Sequence, residues 1–124
     1  MESENDKNEF KSLACSQSLK AIEDALHVLG GKWKLRIVVG IASGYNRFNE
    51  LQRVVESISA GVLSNELKDL ETNGVIVRKV KTGATPVIVS YEPSEYAMAV
   101  IPFVDTLADW GKNHINKLQN ECHL

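Results

Sequence analysis

The chain of 124 residues is short of several things, and each shortage removes a class of protein. It has two cysteines, Cys15 and Cys122, at opposite ends and without metal-type spacing, so neither a disulfide framework nor a zinc site is expected. That usage suits a reducing cytosol, and a cytoplasmic location is the expectation. No apolar run approaches the roughly 20 residues a membrane span needs. Met1 to Lys11 is polar and acidic and lacks the apolar centre of a secretory signal. Residues 1–14 are therefore expected to form a flexible lead-in, and residues 15–124 one domain with a single core. There is no basic excess, the formal net charge being -2. There is also no Ser/His/Asp set, no glycine-rich phosphate loop and no metal-ligand cluster. Neither an enzyme nor a bound cofactor is expected.

What is present is patterned. A hydrophobic fraction of 44% with 24% charge is that of an ordinary globular protein. Ser18 is placed to cap a helix carrying Leu19, Ile22, Ala25, Leu26 and Leu29 at helical spacing, ended by Gly30-Gly31. A second helix follows, with Trp33, Ile37, Val38 and Ile41 facing inward, and stops near Ser43-Gly44. Phe48 and Leu51 anchor a short helix with Val54 and Val55 near its end. Ser59 then caps a longer one whose apolar stripe is Val62, Leu63, Leu67 and Leu70, and Gly74 sits where a left-handed cap belongs. Two β-branched runs, Val75–Val80 and Val87–Tyr91, joined by Lys81–Pro86, predict a hairpin with a flexible tip.

Short helix, turn, longer helix and hairpin follow one another in the order of a winged helix-turn-helix, whose second helix enters a DNA groove. The fold class expected is α+β, mainly α, with a two-stranded wing and a C-terminal dimerisation helix. The face of the Ser59 helix opposite its stripe holds Ala60, Gly61, Ser64, Asn65, Lys68 and Thr72. Small and polar side chains there suit close approach to base edges and phosphates. Glu66, Asp69 and Glu71 would repel phosphate if they faced it. Lys32, Lys34, Arg36, Arg47, Arg53, Arg78, Lys79 and Lys81 supply local positive charge, which matters more for phosphate contact than the overall sum. After Ser94, which caps a helical turn, Pro102 either kinks a helix or opens a new one. Phe103, Val104, Leu107, Trp110, His114 or Ile115, Leu118 and Cys122 then recur every three or four residues. A winged-helix core this small cannot cover so long a stripe, and a two-fold partner would bury it.

Four stretches are similar to one known group, the HxlR-type winged-helix regulators, relatives of the MarR-like repressors. They are Ala25-Leu26-His27-Val28-Leu29-Gly30-Gly31-Lys32-Trp33, Arg47-Phe48-Asn49-Glu50-Leu51, the run from Ile58-Ser59 through Leu63, Leu67 and Leu70-Glu71 to Gly74, and Pro102 with Leu107 and Trp110-Gly111. The resemblance implies a homodimer formed by the terminal helices, about 15–29 and 94–120, with Leu19, Ile22, Phe103, Leu107, Trp110, His114 and Leu118 at the interface. It implies double-stranded DNA as partner, with the Ser59 helix in the major groove and the hairpin near Thr82–Pro86 on the flanking backbone. Two-fold symmetry then makes the operator pseudo-palindromic, and the residues expected at the DNA are Lys32, Lys34, Arg47, Ser59, Ala60, Gly61, Ser64, Asn65, Lys68, Arg78, Lys79, Lys81 and Thr82. Many relatives carry a cysteine where Cys15 stands, and some sense oxidants or electrophiles through it; a helix N-terminus favours the reactive thiolate. The chain departs from the family pattern at Gly61 and Ile88, where basic residues are common, and at Pro93 and Ala97, where Leu and Gly are usual.

The function expected is a sequence-specific DNA-binding transcriptional regulator, a homodimeric repressor with Cys15 as a candidate redox sensor. The alternative is a winged-helix protein–protein module with little DNA affinity, which Gly61, Ile88 and the acidic balance would suit. The sequence identifies no small-molecule effector.

Overall fold

Glycines and capping side chains divide the helical part of the chain. The computed structural model describes residues 16–83 and 85–122, so the expected lead-in and Cys15 lie outside the described residues. Helix α1 runs Ser16–Leu29. Ser18 lies inside it and is not its cap, a correction that follows from the helix-favouring Gln17, Leu19 and Lys20 around it. The helix stops at Gly30, whose N–H donates to the Leu26 carbonyl at 2.7 Å. Any side chain at Gly30 would collide with that carbonyl, and Gly31 has φ 91°, in the left-handed region. Two glycines thus let the chain reverse directly into α2, Lys34–Ala42, with the half-buried Trp33 as its N-cap residue. Ile37, Val38 and Ile41 are buried, as their spacing predicts.

Helix α3 spans Phe48–Val54. Its Arg-Phe-Asn-Glu-Leu opening has a local physical account. The Glu50 carboxylate reaches back to accept the Asn46 N–H at 3.2 Å, satisfying a donor at the helix start, while Leu51 is fully buried and Phe48 packs on the core. The Asn46 carbonyl accepts the Tyr91 N–H at 2.8 Å, tying this entrance to the hairpin. Val55 is buried but Val54 is exposed. The turn that follows holds Ser57 at φ 71°, an uncommon conformation for a residue with a Cβ.

Helix α4, Ala60–Thr72, starts at Ser59, whose hydroxyl accepts the Val62 N–H at 3.2 Å. Leu63, Leu67 and Leu70 are buried. Val62, expected in the same stripe, is exposed, because 100° per residue carries it outside the arc those three leucines share. Asn73 ends the helix and Gly74, φ 74°, carries the chain into the hairpin, its N–H donating to the Glu71 carbonyl at 3.0 Å.

Strands β1, Ile76–Lys81, and β2, Ile88–Pro93, pair antiparallel with Ile76 opposite Pro93 and Lys81 opposite Ile88. Both lie about one or two residues later than the apolar runs suggest. Val75 is instead a buried junction, its N–H donating to Leu70 and its carbonyl accepting from Ser94, each at 2.9 Å. The Ser94 hydroxyl accepts the Ala97 N–H at 3.3 Å and opens a 3-10 turn, Tyr96–Ala99. The turn runs on into α5, Val100–Cys122. Pro102 sits in the first turn of α5, where its missing N–H costs nothing, so it opens a helix and does not kink one. At 23 residues α5 is about 34 Å long. The architecture is the expected winged helix-turn-helix: mainly helical, with a two-strand wing and a long C-terminal helix.

The Ser57 conformation yields a stability prediction. Replacing Ser57 by Gly removes the Cβ penalty of the left-handed region and should stabilise the fold by about 0.5–1 kcal/mol. Urea unfolding measures this; a lower midpoint would mean that the Ser57 side chain contributes more than its backbone strain costs.

Candidate nucleic-acid interface

The buried arc of α4 determines what its other side presents. With Leu63, Leu67 and Leu70 directed into the core, Ala60, Gly61, Asn65, Lys68 and Thr72 are exposed and Ser64 is half-exposed. No β carbon added at Gly61 would meet an atom within 4 Å, so the glycine opens space on the outer surface of the first turn. The outward face is therefore low and polar near its N-terminus, where backbone N–H groups and the helix dipole favour phosphate.

The acidic residues of this helix are not arranged as a repulsive row. Glu66 and Asp69 turn towards α2, where the Lys34 ammonium lies 2.8 Å from a Glu66 oxygen and 3.7 Å from an Asp69 oxygen. The Lys34 side chain is only 14% exposed. Its hydrogen bond to Glu66 raises the lysine pKa above the ordinary value of 10.5, against the opposing effect of burial, and the Glu66 and Asp69 charges add to the rise. Lys34, expected from sequence to meet phosphate, is thus occupied in joining α2 to α4. Glu71 points the other way, into a cleft of about 360 Å³ between α4 and the wing, lined also by Ser64, Leu67, Lys68, Arg78 and Tyr91.

Strand register divides the wing's cations. Arg78 pairs opposite Tyr91 and shares a face with the buried Ile76, which directs it to the α4 side. Lys79 and Lys81 belong to the other face, and Lys79 is bound to Glu92 at 2.8 Å. Lys68, Arg78, Lys81, Arg47 and Arg53 are exposed and have no ion-pair partner among the described residues. Thr82 is exposed beside the wing tip, and Ile88, in the position lacking a basic residue, is half-buried. Lys32 and Arg36 both lie over the Trp33 ring, 4.8 and 5.0 Å from its centre, and Arg36 also donates to the Glu56 carbonyl at 3.4 Å. Sequence reasoning missed Tyr91 as a cleft residue; its signal was the strand alternation that sets it opposite Arg78. It also missed the inward turn of Glu66 and Asp69, which depends on where α2 packs.

The terminal helices present the other surface. On α1, Leu19, Ile22 and Leu26 are exposed, while Val28 and Leu29 pack on the core. On α5, Phe103, Leu107, Trp110, Ile115 and Leu118 are exposed, Trp110 by 64%. His114 stacks on Trp110, centroids 5.0 Å apart and planes 8° from parallel. None of the described helices is long and apolar enough to cross a membrane, and no group of three or more potential metal ligands occurs among the described residues.

A family model for the HxlR-like helix-turn-helix matches residues 28–119. The chain belongs to that family. The HTH-type transcriptional regulator YtcD of Bacillus subtilis is 39% identical over 101 residues, 82% of this chain and 79% of the relative. A crystal structure of ytcD superposes with a TM-score of 0.72 at 41% identity, covering 77% of this chain and 96% of that one. The redox regulator HypR in its reduced form gives 0.74 at 32% identity, covering 81% and 98%. Membership makes this HxlR-type protein a DNA-binding winged-helix transcriptional regulator, from a family that works without catalysis.

The Lys34 ion pairs carry a pH dependence. Because the folded-state pKa of Lys34 is raised, its contribution is fully present below the unfolded value and is lost as pH rises through the folded one. A Lys34→Met variant should be less stable by about 1 kcal/mol or less at neutral pH. The gap to the parent should close only in the alkaline range above 10.5, as thermal melts across pH would record.

Proposed function

We propose that this regulator is a repressor that binds a pseudo-palindromic operator as a homodimer and acts by occupying a promoter in the cytoplasm. The observation that carries the reading is the pair of uncovered apolar faces on α1 and α5. Large apolar side chains left exposed at helical spacing on both helices are the mark of an association surface. The segments 15–29 and 94–120 are the dimerisation helices of one domain, residues 15–124, with Leu19, Ile22, Phe103, Leu107, Trp110, His114 and Leu118 in the seam. A two-fold axis through α5 sets the two α4 helices about 34–36 Å apart, on successive major-groove faces. Ser59, Ala60, Gly61, Ser64, Asn65 and Lys68 then face the groove, while Arg47, Arg78, Lys79, Lys81 and Thr82 follow the flanking backbone, with Lys32 at the edge.

Gel-shift titration against the promoter beside the protein's own gene tests this. The expected result is retardation that weakens with salt, lost in a Trp110→Glu variant that elutes at the monomer mass. Retardation unaltered by charge reversal at Lys68 and Arg78 would favour a protein–protein module and overturn the operator reading.

We also infer that Cys15 makes the repressor responsive to oxidants or electrophiles. Support comes from the relatives: HypR, named a redox regulator in oxidised and reduced forms, and YodB of B. subtilis, solved reduced and diamide-treated. Diamide should change operator retardation by the parent protein and leave that by a Cys15→Ser variant unchanged; equal responses would remove Cys15 from the mechanism.

A further inference from the structure

Helix α4 carries three acidic residues, Glu66, Asp69 and Glu71, against one basic residue, Lys68. A phosphate backbone approaching such a helix meets net negative charge unless something holds the acids back. Lys34 does so for two of the three, from the first turn of α2, with Glu66 at 2.8 Å and Asp69 at 3.7 Å. The Lys34 and Glu66 side chains are 14% and 21% exposed, so this pair is partly shielded from solvent, whereas Asp69 is 63% exposed. The same helix is held at a second point, where Arg36 donates to the Glu56 carbonyl in the turn before α4. Just upstream, Gly30-Gly31 and the half-buried Trp33 set the start of α2, the helix that carries the ammonium.

We propose that Lys34 is a positioning residue for DNA binding: it draws Glu66 and Asp69 off the groove-facing side of α4 and holds that helix at its angle to α2, without itself touching phosphate. The alternative role for a lysine in this place is direct contact with the DNA backbone, and the two make opposite predictions. A phosphate contact contributes to counterion release, so its loss lowers the salt dependence of binding by about 0.9 per contact. A positioning lysine leaves that slope unchanged. Its loss releases Glu66 towards the DNA, and neutralising Glu66 should then undo the damage.

The inference rests on the DNA-binding reading of α4, and the parent protein in the same titration reports on that reading separately. The probe is a duplex recovered by the parent protein from a random pool, titrated at several salt concentrations with the full chain. Lys34→Met should bind about tenfold more weakly with the parent's salt slope. The double variant Lys34→Met, Glu66→Gln should recover most of the loss. A Glu66→Gln single variant should bind at least as well as the parent, since Lys34 keeps Asp69. A slope reduced by about 0.9 without recovery in the double variant would overturn the proposal and make Lys34 a phosphate ligand. Should Lys34→Met fail to fold by circular dichroism, Lys34→Gln takes its place with the same expected pattern. A parent protein that selects no duplex overturns the operator reading and this inference together, whereas failure in the variants alone overturns only the inference.

Discussion

Three leucines of α4 govern the rest of the molecule. Leu63, Leu67 and Leu70 are almost wholly buried, each contributing about 1.5–3 kcal/mol by leaving water. They meet Ile37, Val38 and Ile41 from α2, Leu51 from α3 and Ile76 from the wing in one cluster. Because a helix is rigid, burying that arc leaves no choice about the opposite one, and the small polar residues from Ala60 to Thr72 must face out. The edges of the arc carry charged and polar groups that meet neighbouring elements. One edge brings Glu66 and Asp69 to Lys34, and the other brings Ser64 and Glu71 to Arg78 and Tyr91. Core packing and surface chemistry are therefore one problem here.

Much of this was legible because local physics and tertiary demand agree. Ser59 caps the helix it was expected to cap, Gly74 has the positive φ its position requires, and Ser94 opens the next turn. Where the reading slipped, the cause was a choice that periodicity leaves open. Val62 satisfies an i, i+1 apolar pair with Leu63, but only one of two neighbours 100° apart can point at a narrow core. Ser18 is a good cap in isolation, yet its neighbours favour helix on both sides. The candidate site was less legible than the fold. That Lys34 is engaged with α4 depends on a helix pair 32 residues apart in sequence from Lys34 to Glu66, which no local pattern encodes.

The terminal helices illustrate the converse case, in which the exposure of a helix face follows the sequence pattern. The α5 stripe recurs every three or four residues along a 23-residue helix, and from Asp105 to Glu121 only Gly111 is less than exposed. Its first turns, through Val100, Ile101 and Val104, are half-buried and seat it on the rest of the fold. Past that seat the stripe has no partner among the described residues. Gly111 lowers the helix surface beside Trp110, and a β carbon added there would meet no atom within 4 Å.

Net charge remains the apparent obstacle to a DNA-binding role, and its distribution answers it. Of the acidic residues in the described helices, Glu23 and Asp24 lie on α1, and Asp105, Asp109 and Glu121 on α5, on the elements furthest in sequence from the reading helix. On the reading unit itself, Glu50 is used in starting α3, Glu66 and Asp69 are held by Lys34, and Glu92 is held by Lys79. Glu71 shares its cleft with Lys68 and Arg78. Glu56, in the turn before α4, is exposed and has no ion-pair partner among the described residues, but the other exposed, unpaired groups around α4 and the wing are mostly cationic: Arg47, Arg53, Lys68, Arg78 and Lys81. Phosphate responds to charge within about a Debye length, some 8 Å at physiological salt, so the local sign prevails over the sum for the chain. An acidic total is compatible with a basic reading surface as long as ion pairs within the chain keep most of the nearby acids occupied.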